Sequence, residues 1–140
     1  MTIDKNKAYL EKIQTQLLKA IEHLSYSYQK VTTLPTDPHQ LDEESLETWE
    51  SFSARFSRVV DIFLMRVLKA KVKFSDPGFD GTLRDYLNQA EKAGFVSNAS
   101  EWLMLRELRN IAAHEYTDKG LAFFLQQLRT HCPKLLALKK

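Results

Sequence analysis

A single cysteine, Cys132, stands in 140 residues. No disulfide can therefore close within the chain, which fits a reducing cytoplasm. Four glycines and four prolines are too few for a disordered tract or for the turn-dense loops of an all-β fold. Apolar runs never approach the roughly 20 residues that a membrane helix needs, so no membrane association is expected. The stretch Met1 to Lys12 lacks the apolar core of a secretory signal. Charge of one sign is missing too. A formal net charge of +2 excludes a general nucleic-acid coat and leaves any RNA contact to a local patch. Strand-like alternation nowhere survives five residues, and no repeat, low-complexity tract or long linker divides residues 1–140. Chemical motifs are scarce as well. Without a Gly-rich phosphate loop or a Gly-x-Ser-x-Gly elbow, the chain does not read as a nucleotidyltransferase or kinase by itself. His23, His39 and His131 make no metal-ligand spacing with Cys132, so neither a metal nor another cofactor is expected.

Helical periodicity is what remains. Ile13, Leu17, Ile21, Leu24, Tyr28 and Val31 recur at spacings of three and four, a stripe that extends back toward Tyr9 and Leu10. Two prolines in Thr33–His39 break it. A second long helix is predicted from about Glu43 to Lys71, with Leu46, Trp49, Phe52, Phe56, Val59, Val60, Phe63, Leu64, Val67 and Leu68 facing inward. The turn chemistry of Ser75–Gly81 ends it. A short helix then carries Leu83, Tyr86, Leu87 and Ala90, capped at its end by Gly94. Ser97 or Asn98 starts the next, which buries Trp102, Leu105 and Leu108. Asp118 caps the last helix, with Leu121, Phe124, Leu125 and Leu128 inward, and Leu135, Leu136 and Leu138 add a turn beyond Pro133. The expectation is one all-α domain: an up-down bundle of about five helices, two long and antiparallel, the rest shorter and C-terminal.

One run carries chemistry. Leu105 to Tyr116 places Arg109, Asn110, His114 and Tyr116 within a few turns. Chance alone supplies about 0.2 Arg-x-x-x-x-His pairs in such a chain, and adding Tyr two residues later lowers this to roughly 0.007. Cleaving RNA internally requires a proton taken from the 2′-hydroxyl, a proton given to the leaving 5′-oxygen, and an offset for phosphorane charge. The His114 imidazole suits both proton transfers near neutral pH. The Arg109 guanidinium, always charged, suits the phosphate. Asn110 orients the imidazole or a phosphate oxygen. On an ideal helix the five-residue step from Arg109 to His114 turns through about 140°, so the two do not share a face. Either the helix ends between them, or a two-fold dimer lends each cleft groups from a second chain. Arg66, Lys69, Lys71 and Lys73 form a basic stretch without an acid, and Arg106 lies one turn before Arg109. Such residues would hold backbone phosphates without sequence preference. Considered singly, Arg109 reads as a surface ion-pair residue with Glu107 and Glu115 in reach.

Arg109-Asn-Ile-Ala-Ala-His114-Glu-Tyr116 in a small helical chain resembles the HEPN superfamily, and in particular the HepT toxins, whose signature is Arg, four residues, His, one residue, Tyr. Glu50-Ser-Phe-Ser-Ala-Arg-Phe, Thr82-Leu-Arg-Asp-Tyr-Leu and Glu101-Trp-Leu extend the resemblance over about two thirds of the chain. It implies a homodimeric, metal-independent endoribonuclease cutting tRNA or mRNA, with Arg109, His114 and Asn110 catalytic. It also implies a cognate MntA-like nucleotidyltransferase antitoxin that silences the toxin by attaching AMP to Tyr116. A phosphate placed there would occupy the Arg109 cation and obstruct the cleft. Related proteins imply a rival: a non-catalytic subunit that presents substrate or nucleotide to a partner nucleotidyltransferase.

Overall fold

The computed structural model describes the backbone of residues 2–111 and 118–139, and the side chains of residues 4–111 and 120–139. Helix α1 (Thr2–Val31) is followed by a short 3-10 turn (Pro38–Gln40) and by α2 (Glu43–Ile62). A π-turn (Phe63–Leu68) carries α2 without a break into α3 (Lys69–Ser75). Then come α4 (Leu83–Lys92), α5 (Ala99–Ile111), α6 (Asp118–Leu136) and a closing 3-10 turn (Ala137–Lys139). Taking α2 through α3 as one rod gives five helical rods and no strand among the described residues, an all-α bundle.

The two long rods run antiparallel, and side-chain contacts set their register. Trp49 Nε1 donates to the Pro35 carbonyl at 3.0 Å. Arg55 Nη1 donates to the Ser27 hydroxyl at 2.7 Å and to the His23 carbonyl at 3.0 Å. Further along, Arg66 Nη1 donates to Gln16 Oε1 at 2.9 Å, and Tyr9 meets Phe74 edge-on. Residue numbers rise on one rod as they fall on the other. Between the rods lies a ladder of edge-to-face rings, Trp49 to Phe52 to Phe56, each at most 1% exposed. Burying rings of this size contributes about 1.5–3 kcal/mol apiece. The predicted stripe of the second rod is buried from Trp49 to Leu68, with only Leu46 half-buried. On α1 the stripe is buried from Ile13 to Val31 with only Tyr28 half-buried, whereas Tyr9 is exposed.

Helix ends follow their local chemistry. Asp42 Oδ1 accepts from the Ser45 amide at 2.8 Å and caps α2. Thr82 and Asp85 form a reciprocal capping box at α4. Gly94, at φ +82°, closes α4: its amide donates to the Glu91 carbonyl and the Phe95 amide to the Ala90 carbonyl, the paired bonds of a Schellman motif. Asn98 Oδ1 then caps α5 at the Glu101 amide, while Glu91 Oε2 accepts from the Ala99 amide at 2.8 Å. The predicted cap at Asp118 lies outside the described side chains, although α6 begins at that residue.

Two boundaries differ from the sequence expectation. The second rod continues past Lys71 to Ser75, because Val72 is buried and prolongs the apolar face. The last helix runs through Pro133 to Leu136 instead of restarting beyond it. Burial of Cys132 and Leu135 on either side of Pro133 holds the backbone helical despite the lost amide. Arg129 ties α6 to the first connection, with Nη1 donating to the Val31 carbonyl at 2.9 Å and the Leu34 carbonyl at 2.7 Å. No described helix is long and apolar enough to cross a membrane.

Candidate functional site: an arginine-lined groove

Helix α5 presents Arg106, Arg109 and Asn110 on one face, at steps of three and four residues. Opposite them, α2 presents Ala54, Ser57, Arg58 and Asp61, and the π-turn adds Met65, a stripe on the side of the rod away from Phe52 and Phe56. Small side chains at 54 and 57 leave room, and the two helices enclose a groove of about 1010 Å³. Four of the seven arginines in the chain line it: Arg58, Arg66, Arg106 and Arg109. Asp61 is the sole carboxylate among the described lining residues.

Arg109 is fixed by that carboxylate. Its Nε donates to Asp61 Oδ1 at 2.8 Å, with both side chains partly open to solvent. The hydrogen bond first, and the carboxylate's charge second, push the Arg109 pKa above its ordinary value. The group is therefore a permanent cation with a defined direction. Singly, Arg109 was expected to pair near itself in sequence, with Glu107 or Glu115. The observed partner comes from another helix, 48 positions away, because the rotation of α5 turns Arg109 toward α2.

Of the predicted site residues, the structure brings Arg109 and Asn110 together with Arg106 and Arg66. It does not keep the basic stretch as one patch. Lys69 turns toward α4, its ammonium 5.3 Å from the centre of the Tyr86 ring. Lys71 stands 5.8 Å from the Phe95 ring and lines a second cavity of about 650 Å³, floored by the stacked Phe63 and Trp102. Lys73 is exposed and borders neither cavity. The cause is helical rotation, since residues 66, 69, 71 and 73 point in different directions around one rod. His114 and Tyr116 lie outside the described residues.

Arg58 and Asp61 were missed from the sequence. Their stripe at steps of three and four was visible there, but nothing local says that a polar stripe faces a neighbouring helix instead of bulk water. Among the described residues no group of three or more His, Cys, Asp or Glu could hold a metal ion. Cys132 is buried, which pushes its thiol up to about 12 and leaves it unreactive.

Fold and site together define an all-α helical bundle with a groove in which four arginines and one carboxylate stand among the described lining residues, Arg109 and Asn110 of the motif included. In comparisons, no family model, no curated protein and no solved structure matches this chain.

Proposed function

We propose that the chain is the toxin of a toxin–antitoxin pair, a homodimeric and metal-independent endoribonuclease of the HEPN type that cuts tRNA or mRNA. One observation carries the reading: Arg109 and Asn110 of the motif line a common groove with Arg58, Arg66 and Arg106. Arg109 is held there as an aimed cation by Asp61, as stabilisation of phosphorane charge requires. In the proposed reaction the His114 imidazole of one protomer takes the proton of the 2′-hydroxyl, and the 2′-oxygen attacks phosphorus. The 5′-oxygen leaves with a proton from the partner's His114, and Arg109 offsets the charge that builds between them. The products are a 2′,3′-cyclic phosphate and a 5′-hydroxyl. The cognate MntA-like nucleotidyltransferase ends the activity by attaching AMP to Tyr116, which sets a phosphate near Arg109 and removes access to the cation.

Expression of the chain alone in a bacterium, beside His114→Ala and Arg109→Ala, tests the proposal. The parent should arrest growth and both variants should not. Equal inhibition by all three, or none by the parent with expression verified, removes the catalytic reading. The rival is a nucleotide-presenting subunit, and the same guanidinium groups would suit a nucleotide's phosphates. Calorimetry separates the two, because such a subunit binds nucleotide and leaves labelled RNA whole.

A further inference from the structure

We propose that Arg58 and Arg66 hold the phosphates that flank the one under Arg109, so that the groove takes a run of single-stranded RNA backbone instead of a single phosphate. This rests on reading the groove as an RNA site. The starting observation is the π-turn. Arg58 and Arg66 are eight residues apart, which on a straight α-helix leaves them about 80° apart around the axis. A π-turn absorbs one residue without advancing the helix, about 100° of rotation. The turn at Phe63–Leu68 thereby returns Arg66 to within roughly 20° of Arg58. Both then line the same groove.

The length and charge of the groove fit that occupant. Arg58 and Arg66 lie roughly 10–12 Å apart along the rod, more than one phosphate spans. Across from them Arg106 and Arg109 sit one turn apart on α5. Four guanidinium groups face one carboxylate, and that carboxylate is already bonded to Arg109. Arg66 is exposed and donates to a neutral acceptor, Gln16 Oε1, so its charge is not cancelled by that partner. No aromatic side chain is among the described lining residues. The described part of the groove therefore offers guanidinium groups for the backbone and no platform for stacking bases.

The test is the salt dependence of binding. Fluorescence anisotropy with a labelled, uncleavable 2′-O-methyl oligoribonucleotide gives the slope of log K against log salt. Each neutralised phosphate contributes about −0.7 for a single strand. The double variant Arg58→Gln, Arg66→Gln should make the slope shallower by about 1.4. The matching lysine variants should keep it, and Arg84→Gln on α4 should leave it unchanged. An unaltered slope in the double glutamine variant with native circular dichroism overturns the proposal. So does an equal change in Arg84→Gln, or AMP binding as tight as the oligomer. Cleavage of unmodified RNA is scored separately. A parent with the expected slope and no cleavage keeps this inference and removes the enzyme. Cleavage with an unaltered slope in the double variant does the reverse.

Discussion

Asp61→Ala removes the carboxylate that holds Arg109 by a 2.8 Å bond from Nε. The side chains of the pair are 34% and 43% exposed. Water screens such a contact, and exposed pairs contribute about 0.2–1 kcal/mol to stability. The melting temperature should therefore fall by no more than about 4 °C in a chain of this size. If the chain is the proposed ribonuclease, catalysis should suffer more. An arginine freed from its anchor regains rotamer entropy of about 2 kcal/mol, which must be given up again whenever it meets the phosphorane. Turnover should drop roughly thirtyfold. Ground-state binding should move in the opposite direction. A negative charge roughly 6 Å from a phosphate costs about 0.7 kcal/mol in the high-dielectric limit, so its loss should tighten RNA binding about threefold. Asp61→Asn, which retains an acceptor without charge, should fall between parent and alanine in turnover. Single-turnover cleavage, anisotropy with an uncleavable strand and a melting curve measure the three quantities independently. If Asp61→Ala weakens binding and turnover together, or leaves turnover unchanged, Asp61 does not aim Arg109 and the reasoning fails.

Two further outcomes follow from groups outside the groove. Arg129 donates to the carbonyl of Val31 at the end of α1 and to that of Leu34 in the connection beyond, and stands 5.5 Å from the Trp49 ring. Arg129→Ala should cost about 2–4 kcal/mol in chemical denaturation, with Arg129→Lys recovering less than half. Native-like stability of the alanine variant would refute that role. His131 has its pKa lowered from 6.5, by burial first and by the charge of Lys134 second, with Glu101 opposing. Above that ordinary value the ring is neutral in both states. On acidification the unfolded chain takes up the proton first, so stability present above pH 6.5 declines as pH falls toward the folded value. The melting temperature should be lower at pH 5.5 than at pH 7.5, and His131→Gln should flatten the difference. A rise on acidification that His131→Gln abolishes would have the wrong sign.

The buried stripe from Trp49 to Leu68 and the cap at Gly94 were legible because both are local rules. A helix buries the side that carries apolar residues, and a left-handed turn selects glycine. The extension past Lys71 and the passage through Pro133 were not. There, contacts with other helices outweigh the local breaking tendency of charge and proline. The basic stretch at 66–73 looked continuous along the chain, yet its members point to Gln16, Tyr86 and Phe95 on different neighbours.

Order along the chain was enough to specify five helical rods, their inward faces and the run that carries Arg109 and Asn110. The groove itself belongs to the tertiary structure. The Arg109–Asp61 pair depends on how α5 is rotated against α2, and the placement of Arg66 depends on a π-turn in the second rod. Spacing of three and four residues encodes which side of a helix avoids water. It does not encode which helix comes to lie against the side left polar, and that choice is made only when the whole core packs.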